Sequence, residues 1–577
     1  VLTQDKKRAI IKKQNAFFIT INVKQYLIPV DIKASLYFYR DLHYMRPFKS
    51  AIKTNKASYK ENYAEMEKLV LELHQQLKNS QVQGTEASTA RARKRGKFLA
   101  RERIALLLDK DSPFLELMPL AGLTHEGGFG PGGTTVAGIG YVNKRLCLIN
   151  ANLGTRKGGA VDYATSLKLL RLGEIALENK LPTINLVESG GANLPDQDRV
   201  FNNYGASFRE MSRRSKLGIP TISVVFGNAT AGGAYVPGMS DYTIMQKDAA
   251  KVFLAGPPLV KMATNEIAKD EELGGANMHS RISGVADFLA EDEQDAISIA
   301  RDVVKTLKPA KPYAAPHTSV VPPRYSAEEL LGIVPANLKK AIDIREVLIR
   351  IVDNSEFTEF KTNYGVTMVC CWANINGYPV AIIANNGVIF AESAQKATQF
   401  IQLANKSNTP LLFIHNTTGF MVGKQYEQKG MINSGAQLIH AVSGSTVPHI
   451  SLLIGNSYGA GNYAMCGRSF QPRFLFSYPN VQSGVMGAEQ LSGVMEIVRR
   501  QSAASLNKKV DEKALKKAKD AMYQDAKQKA SVWHATSELW DDGVIDPRDT
   551  RKHLSLCLAT VYNDNIEGSD AFGVFRM

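Results

Sequence analysis

The sequence predicts an α/β protein made of two tandem copies of one unit. Three observations carry that prediction: a fixed spacing of 228 residues, short apolar strands alternating with helices, and a glycine-rich turn after the same strand of each copy. Lys168, Pro182, Gly191, Pro220, Gly227, Gly233 and Tyr235 recur as the same residue types at Lys396, Pro410, Gly419, Pro448, Gly455, Gly461 and Tyr463. The register holds without a gap over roughly 68 residues, which local composition bias rarely produces, so a half-length duplication follows. Any site built from the repeated turn then exists twice.

With 577 residues, 44% hydrophobic and 22% charged, the chain is globular and too long for one core. No run of 18 or more apolar residues argues for a membrane-spanning helix. Cys147, Cys370, Cys371, Cys466 and Cys557 form no CxxC pair, so neither a zinc ribbon nor a disulfide framework is supported. The net charge of +15 suggests nucleic acid until it is located. Residues 1–60 hold 13 Lys or Arg against 3 Asp or Glu, so the surplus is mostly terminal. That segment, basic, acid-poor and interleaved with aromatic residues, predicts a mitochondrial transit segment and hence a matrix protein. A lineage-specific extension and a nucleic-acid arm are the alternatives.

Residues 61–78 carry apolar side chains at helical spacing. The stretch RARKRGKFLARERIALLLD (91–109) reads as one basic helix leading into an apolar face, and its cluster of cations is either a solvated surface or a phosphate contact. Pro309, Pro312, Pro316, Pro322 and Pro323 mark a linker between the copies. The first copy gives a strand (146–150), a helix (165–179), a strand (182–187) ending in Glu188-Ser189-Gly190-Gly191, and a strand (220–226) leading into GNATAGGAY (227–235). The second gives strand 379–384, helix 394–406, strand 410–416 and strand 448–454 leading into GNSYGAGNY (455–463). Such alternation argues for sheets covered on both faces.

A glycine turn that follows a strand and opens a helix presents backbone N–H groups without helical partners at the positive end of the dipole. It suits an oxyanion, with donors aimed where charge develops on a carbonyl oxygen. The turn lacks GK[ST], so it is no P-loop, and it is no GxGxxG. GNSYG also spells the GxSxG of a hydrolase elbow with Ser457 as nucleophile. Ala229 stands at the equivalent position, so the turn persists without a hydroxyl, and no histidine is an obvious base. Glu188 and Asn416, at equivalent strand ends, either orient a ligand or stabilise a turn. Arg156-Lys157-Gly158-Gly159 either holds a phosphate or is a plain loop.

These residues resemble the carboxyltransferase β subunits of biotin-dependent acyl-CoA carboxylases. The matching stretches are KGGA, VESGGANLP, FGNATAGGAYVPGMSD, VFLAGPPLVKMAT, LGGANMHSRISGVAD, IIANNGVIF, HNTTGFMVGKQYEQ, GNSYGAGNYAMCGRSFQPRFLF, WDDGVIDPRDTR and FGVFRM, spread over residues 60–577. Within the family, SYGAGNY, MCGR and the FGVFRM ending look most like the methylcrotonoyl-CoA branch. The resemblance implies two tandem crotonase-like (ββα superhelix) domains: a leader over 1–60, an acyl-CoA-side domain over 61–315 and a biotin-side domain over 316–577. It implies that Gly232 and Gly233 bind the thioester oxygen, and that Ala460 and Gly461 bind the ureido oxygen of biotin. Arg156, Lys157, Gly158, Gly159, Gly190 and Gly191 would bind substrate CoA, and Thr418, Gly419, Phe420 and Tyr463 would lie on the biotin side. It further implies a homo-hexameric core in complex with an α subunit that carries biotin and uses ATP, since neither a biotinylation motif nor an ATP-binding signature is present. Neither a metal nor nucleic acid is implied. Propionyl-, acetyl- or geranyl-CoA remain alternative substrates, and a stand-alone crotonase-type hydratase or hydrolase is the more remote reading.

Overall fold

The computed structural model describes residues 48–308, 318–507 and 509–576. Of the predicted leader over 1–60, residues 1–47 lie outside the described residues, as does most of the proline linker. Phe48 onward belongs to one compact unit. Helix α1 spans Ala57–Ser80 and buries Met66, Val70 and Leu73, the 3.6-residue stripe the sequence predicts. Its N-terminal part lies on the short helix Leu330–Ile333: Asn62 Nδ2 donates to the Gly332 carbonyl at 3.3 Å. Ser50 just upstream donates to Glu346 at 2.7 Å.

The stretch expected as one basic helix is two: α2 (Glu86–Lys94) and α3 (Ala100–Leu107). Gly96 causes the break. It adopts φ 72°, and the N–H groups of Gly96 and Lys97 return to the carbonyls of Arg93 and Ala92 at 2.9 and 3.1 Å. That pair of bonds is a Schellman stop, for which a left-handed glycine is the favoured residue.

The first half then gives β1 (Phe114–Glu116), β2 (Thr135–Val142), β3 (Arg145–Asn152), α4 (Tyr163–Glu178), β4 (Thr183–Ser189), α5 (Gln197–Lys216), β5 (Thr221–Thr230), β6 (Tyr242–Gln246), β7 (Lys251–Phe253), β8 (Phe288–Ala290) and α6 (Glu293–Thr306). The second half repeats the order with β9 (Phe357–Phe360), β10 (Met368–Ile375), β11 (Tyr378–Asn385), α7 (Ala391–Lys406), β12 (Leu411–Thr417), α8 (Met431–Gly444), β13 (His449–Tyr458), α9 (Gly459–Ala464), β14 (Phe474–Ser477) and β15 (Gln482–Gly484). Helices α10 (Ala488–Ser505), α11 (Glu512–Lys529) and α12 (Thr550–Val561) complete it.

Each sheet starts with an antiparallel meander and continues in parallel, in the order β1-β2-β3-β4-β5-β6-β8 for the first and β9-β10-β11-β12-β13-β14 for the second. β7 and β15 pair off the far ends of β5 and β13. The duplication is exact in its central elements: α4 and α7, β4 and β12, and β5 and β13 have both their ends offset by 228 residues. One apolar cluster joins the sheets, with Leu148 and Leu172 of the first half sharing a core with Val380, Ile382, Leu412 and Ile450 of the second. A buried ion triad reinforces that contact. Asp542 accepts from Arg171 of α4 at 2.9 Å and from Arg468 at 2.8 Å.

Candidate active site: two equivalent backbone turns

β5 and β13 each run into a helical turn. In the first, Ala231–Ala234 forms a single 3-10 turn; in the second, α9 starts at Gly459. The leading residue of each is left-handed: Ala231 has φ 53° and Gly459 φ 52°. For Ala231 that conformation costs about 1–2 kcal/mol, whereas Gly459 adopts it without strain. It turns the chain so that the first N–H groups of the turn, which have no intrahelical partner, lie at the carboxyl end of the sheet. Gly232 is half-buried and Gly233 buried; Ala460 is exposed and Gly461 buried.

The neighbouring loops are duplicated to the same register. β4 and β12 each shift register in the ladder at Glu188 and Asn416. Beyond each bulge, the Gly191 N–H donates to Ser189 Oγ at 3.2 Å and the Gly419 N–H to Thr417 Oγ1 at 3.2 Å. An isolated bridge pairs Val161 with Ala192 in one half and Ile389 with Phe420 in the other. The turns therefore sit against these loops at close range. A Cβ on Gly461 would stand 2.8 Å from Gly419 Cα, and one on Gly232 would stand 2.8 Å from the Tyr204 ring. A Cβ on Gly233 would stand 3.2 Å from Ser189 Oγ and 3.6 Å from the Ser189 carbonyl. Lys157, Gly158 and Gly159 are all left-handed, and Gly159 lies flat on the Glu188 carbonyl, where no side chain fits.

The side chains divide differently. Glu188 is clamped: Lys97 donates to it at 2.5 Å and Arg103 at 2.9 Å, which holds its carboxyl below the usual range despite burial. It stabilises a turn and is no free base. The predicted phosphate ligand Arg156 is likewise committed, since its guanidinium donates to the carbonyls of Pro131, Gly133 and Val82. Lys157 lies over the Phe129 ring. Thr418, Phe420 and Tyr463 all flank the second turn, and Tyr463 is 42% exposed. It stacks on Phe470.

The sequence marks no histidine partner for Ser457, and the structure supplies one. His415 Nδ1 lies 2.9 Å from Ser457 Oγ, which accepts from Asn462 Nδ2 at 2.8 Å. Both His415 and Ser457 are fully buried, and burial lowers the imidazole to about 3. A neutral histidine that no substrate reaches, on a serine inside a strand, is an internal strut and not a nucleophile elbow. The signal for it was in the sequence: Val187, Ala229 and Ala234 hold the three equivalent positions in the first half, so His415, Ser457 and Asn462 depart from the repeat together.

Two cavities adjoin the turns. One of about 60 Å³ is lined by Gly233 with Val187, Ser189, Tyr204, Met211 and Val236. The other, about 350 Å³, is lined by Gly459, Asn462, Tyr463, Arg468, Trp540 and Asp541. Burial lifts the Asp541 carboxyl to about 6. Among the described residues no cluster of side chains could hold a metal, and no helix is long and apolar enough to cross a membrane.

Comparison with known proteins shows the family and the fold. The carboxyl transferase domain matches residues 91–572. The chain is 53% identical, over 92% of its length and 99% of the relative's, to a probable biotin-dependent acyl-coenzyme A carboxylase beta2 subunit of Mycobacterium tuberculosis. It is 45% identical, over 91% of its length and 90% of the relative's, to the mitochondrial methylcrotonoyl-CoA carboxylase beta chain of Dictyostelium discoideum. The crystal structure of the P. aeruginosa geranyl-CoA carboxylase beta subunit superposes with a TM-score of 0.83 at 43% identity, covering 92% of this chain and 99% of that one. The shared fold is the crotonase-like one.

Proposed function

This chain belongs to the carboxyl transferase domain family as a β subunit of the biotin-dependent acyl-CoA carboxylases, and on that premise we propose that it carboxylates 3-methylcrotonoyl-CoA through two backbone oxyanion holes. The observation that carries the reading is the pair of left-handed turns at equivalent strand ends with different side-chain linings. Gly232 and Gly233 serve the thioester: their N–H groups hold its oxygen as negative charge builds on it. Ala460 and Gly461 serve the ureido oxygen of biotin. The exposed Ala460, the wider cavity and the aromatic walls Tyr463 and Trp540 fit a bicyclic ring at the second turn better than at the first. Carboxybiotin, delivered by an ATP-using α subunit, would supply the carboxyl group and the base. The chain's own residues then need neither acid nor base, in keeping with a clamped Glu188 and a sealed His415. Removing one such donor typically costs 10²- to 10³-fold in rate.

For the acyl group, kinship with methylcrotonoyl-CoA carboxylase beta chains supports methylcrotonoyl-CoA. We assign residues 61–315 to the acyl-CoA side and 316–577 to the biotin side, place the protein in the mitochondrial matrix, and read its core as a homo-hexamer. Purification of the complex tests the reading. A biotin blot should reveal a biotinylated partner, and rates with methylcrotonoyl-, propionyl-, acetyl- and geranyl-CoA should fall in favour of the first. Absence of a biotinylated partner would sink the function; preference for another thioester would change only the substrate.

A further inference from the structure

The basic cluster at 91–97 remains unused, and the phosphate role expected of Arg156 is closed by its three backbone carbonyls. Most cations near it are also committed: Arg93 to Glu102, Arg101 to Glu116, and Arg103 to Glu188 and Glu293. Arg91 and Arg95 are not. Both are exposed, they stand four residues apart at the end of α2 and so share a face, and they line one wall of a cleft of about 160 Å³. The cleft is also lined by Asn152, Gly154 and Thr155 and by Glu188 with its two clamping cations, Lys97 and Arg103. The cleft is a built feature. Thr155 Oγ1 donates to the Gln83 carbonyl at 2.5 Å, and Arg156 reaches the Val82 carbonyl, so the segment leading into α2 is tied to the loop that the helix overhangs. Asn152 borders both this cleft and the cavity beside Gly233. The two spaces are thus neighbours at the carboxyl ends of β3 and β4.

We infer that Arg91 and Arg95 bind phosphate groups of the nucleotide end of the acyl-CoA. This rests on the acyl-CoA reading of the first turn and adds to it the residues that recognise the nucleotide. Two guanidinium groups with no acidic partner give forked, charge-assisted donors of the kind phosphates select. The competing role is local: cations in a last helical turn complement the dipole, which stabilises α2 and binds nothing.

The test is the Arg91→Ala/Arg95→Ala double variant in the assembled complex. KM for the acyl-CoA should rise about tenfold with kcat unchanged, the loss of one or two charge-assisted contacts. The N-acetylcysteamine thioester of the same acid, which has no nucleotide, should be used equally by wild type and variant. Adenosine 3′,5′-bisphosphate should bind the wild-type full chain and not the variant. An acyl-CoA KM unchanged within about twofold, or equal binding of the bisphosphate by both chains, overturns the inference. A fall in melting temperature without either change assigns the arginines to the helix dipole and overturns it as well. A complex that binds the bisphosphate through these arginines yet carboxylates no acyl-CoA keeps the cleft and removes the preceding function.

Discussion

The two turns have one backbone and two linings. Around the first, the strut positions are Val187, Ala229 and Ala234; around the second they are His415, Ser457 and Asn462, bonded in series. The leading φ angles differ by one degree although one residue is alanine and the other glycine. Geometry kept through such a change of lining supports the proposal that the backbone is the catalytic instrument and that the side chains around it distinguish the clients.

Substituting the glycines gives the largest effect. Gly461→Ala forces a methyl to within 2.8 Å of the backbone at Gly419 Cα and should lower carboxyl transfer by about 10²- to 10³-fold in steady-state assays of the complex. Gly233→Ala makes its closest approach to the Ser189 side chain, at 3.2 Å, and should lose less. Equal losses would mean that the turns are not held by different contacts.

The strut comes next. Ser457→Ala removes the shared partner of the buried His415 Nδ1 and of Asn462 Nδ2, at a cost of about 1–3 kcal/mol. The triple variant His415→Val/Ser457→Ala/Asn462→Ala installs the lining of the first turn and should recover most of that loss. Chemical denaturation checks it; a triple variant less stable than the single would show that the halves are not interchangeable inside.

A smaller, pH-dependent effect separates the cavities, because the one beside the second turn is lined by a carboxyl and the one beside the first by none. Asp541 titrates near 6 in the folded protein against about 3.9 unfolded. The folded state therefore keeps a proton that the unfolded state loses. This stabilising contribution is whole below about pH 4 and is lost as pH rises through about 6. Asp541→Asn should thus melt higher than wild type at pH 7, and the two should converge at pH 4. The smallest effect belongs to the leading residue. Ala231→Gly removes left-handed strain but adds unfolded-state freedom, for a net change under about 1 kcal/mol. Gly459→Ala should cost about that much, readable by the same denaturation curves.

Much of this was legible in the sequence because the repeat is in register. Fixed spacing transferred the bounds of α4, β4 and β5 to α7, β12 and β13, and it located both turns. What escaped depends on contacts distant in the chain. The clamp on Glu188 comes from Lys97 and Arg103, some 90 residues away; the burial of Arg156 against three carbonyls has no local pattern. The break at Gly96 was readable, since a glycine between basic residues at a helix end is a Schellman signal, but the continuous cationic pattern masked it.

The central claim is that the turns serve different clients, and its most direct measurement separates KM for acyl-CoA from KM for free biotin in the assembled enzyme. Gly233→Ala should raise the acyl-CoA value and leave that for biotin near wild type, and Gly461→Ala should do the reverse. Both constants rising together in either variant would contradict the assignment.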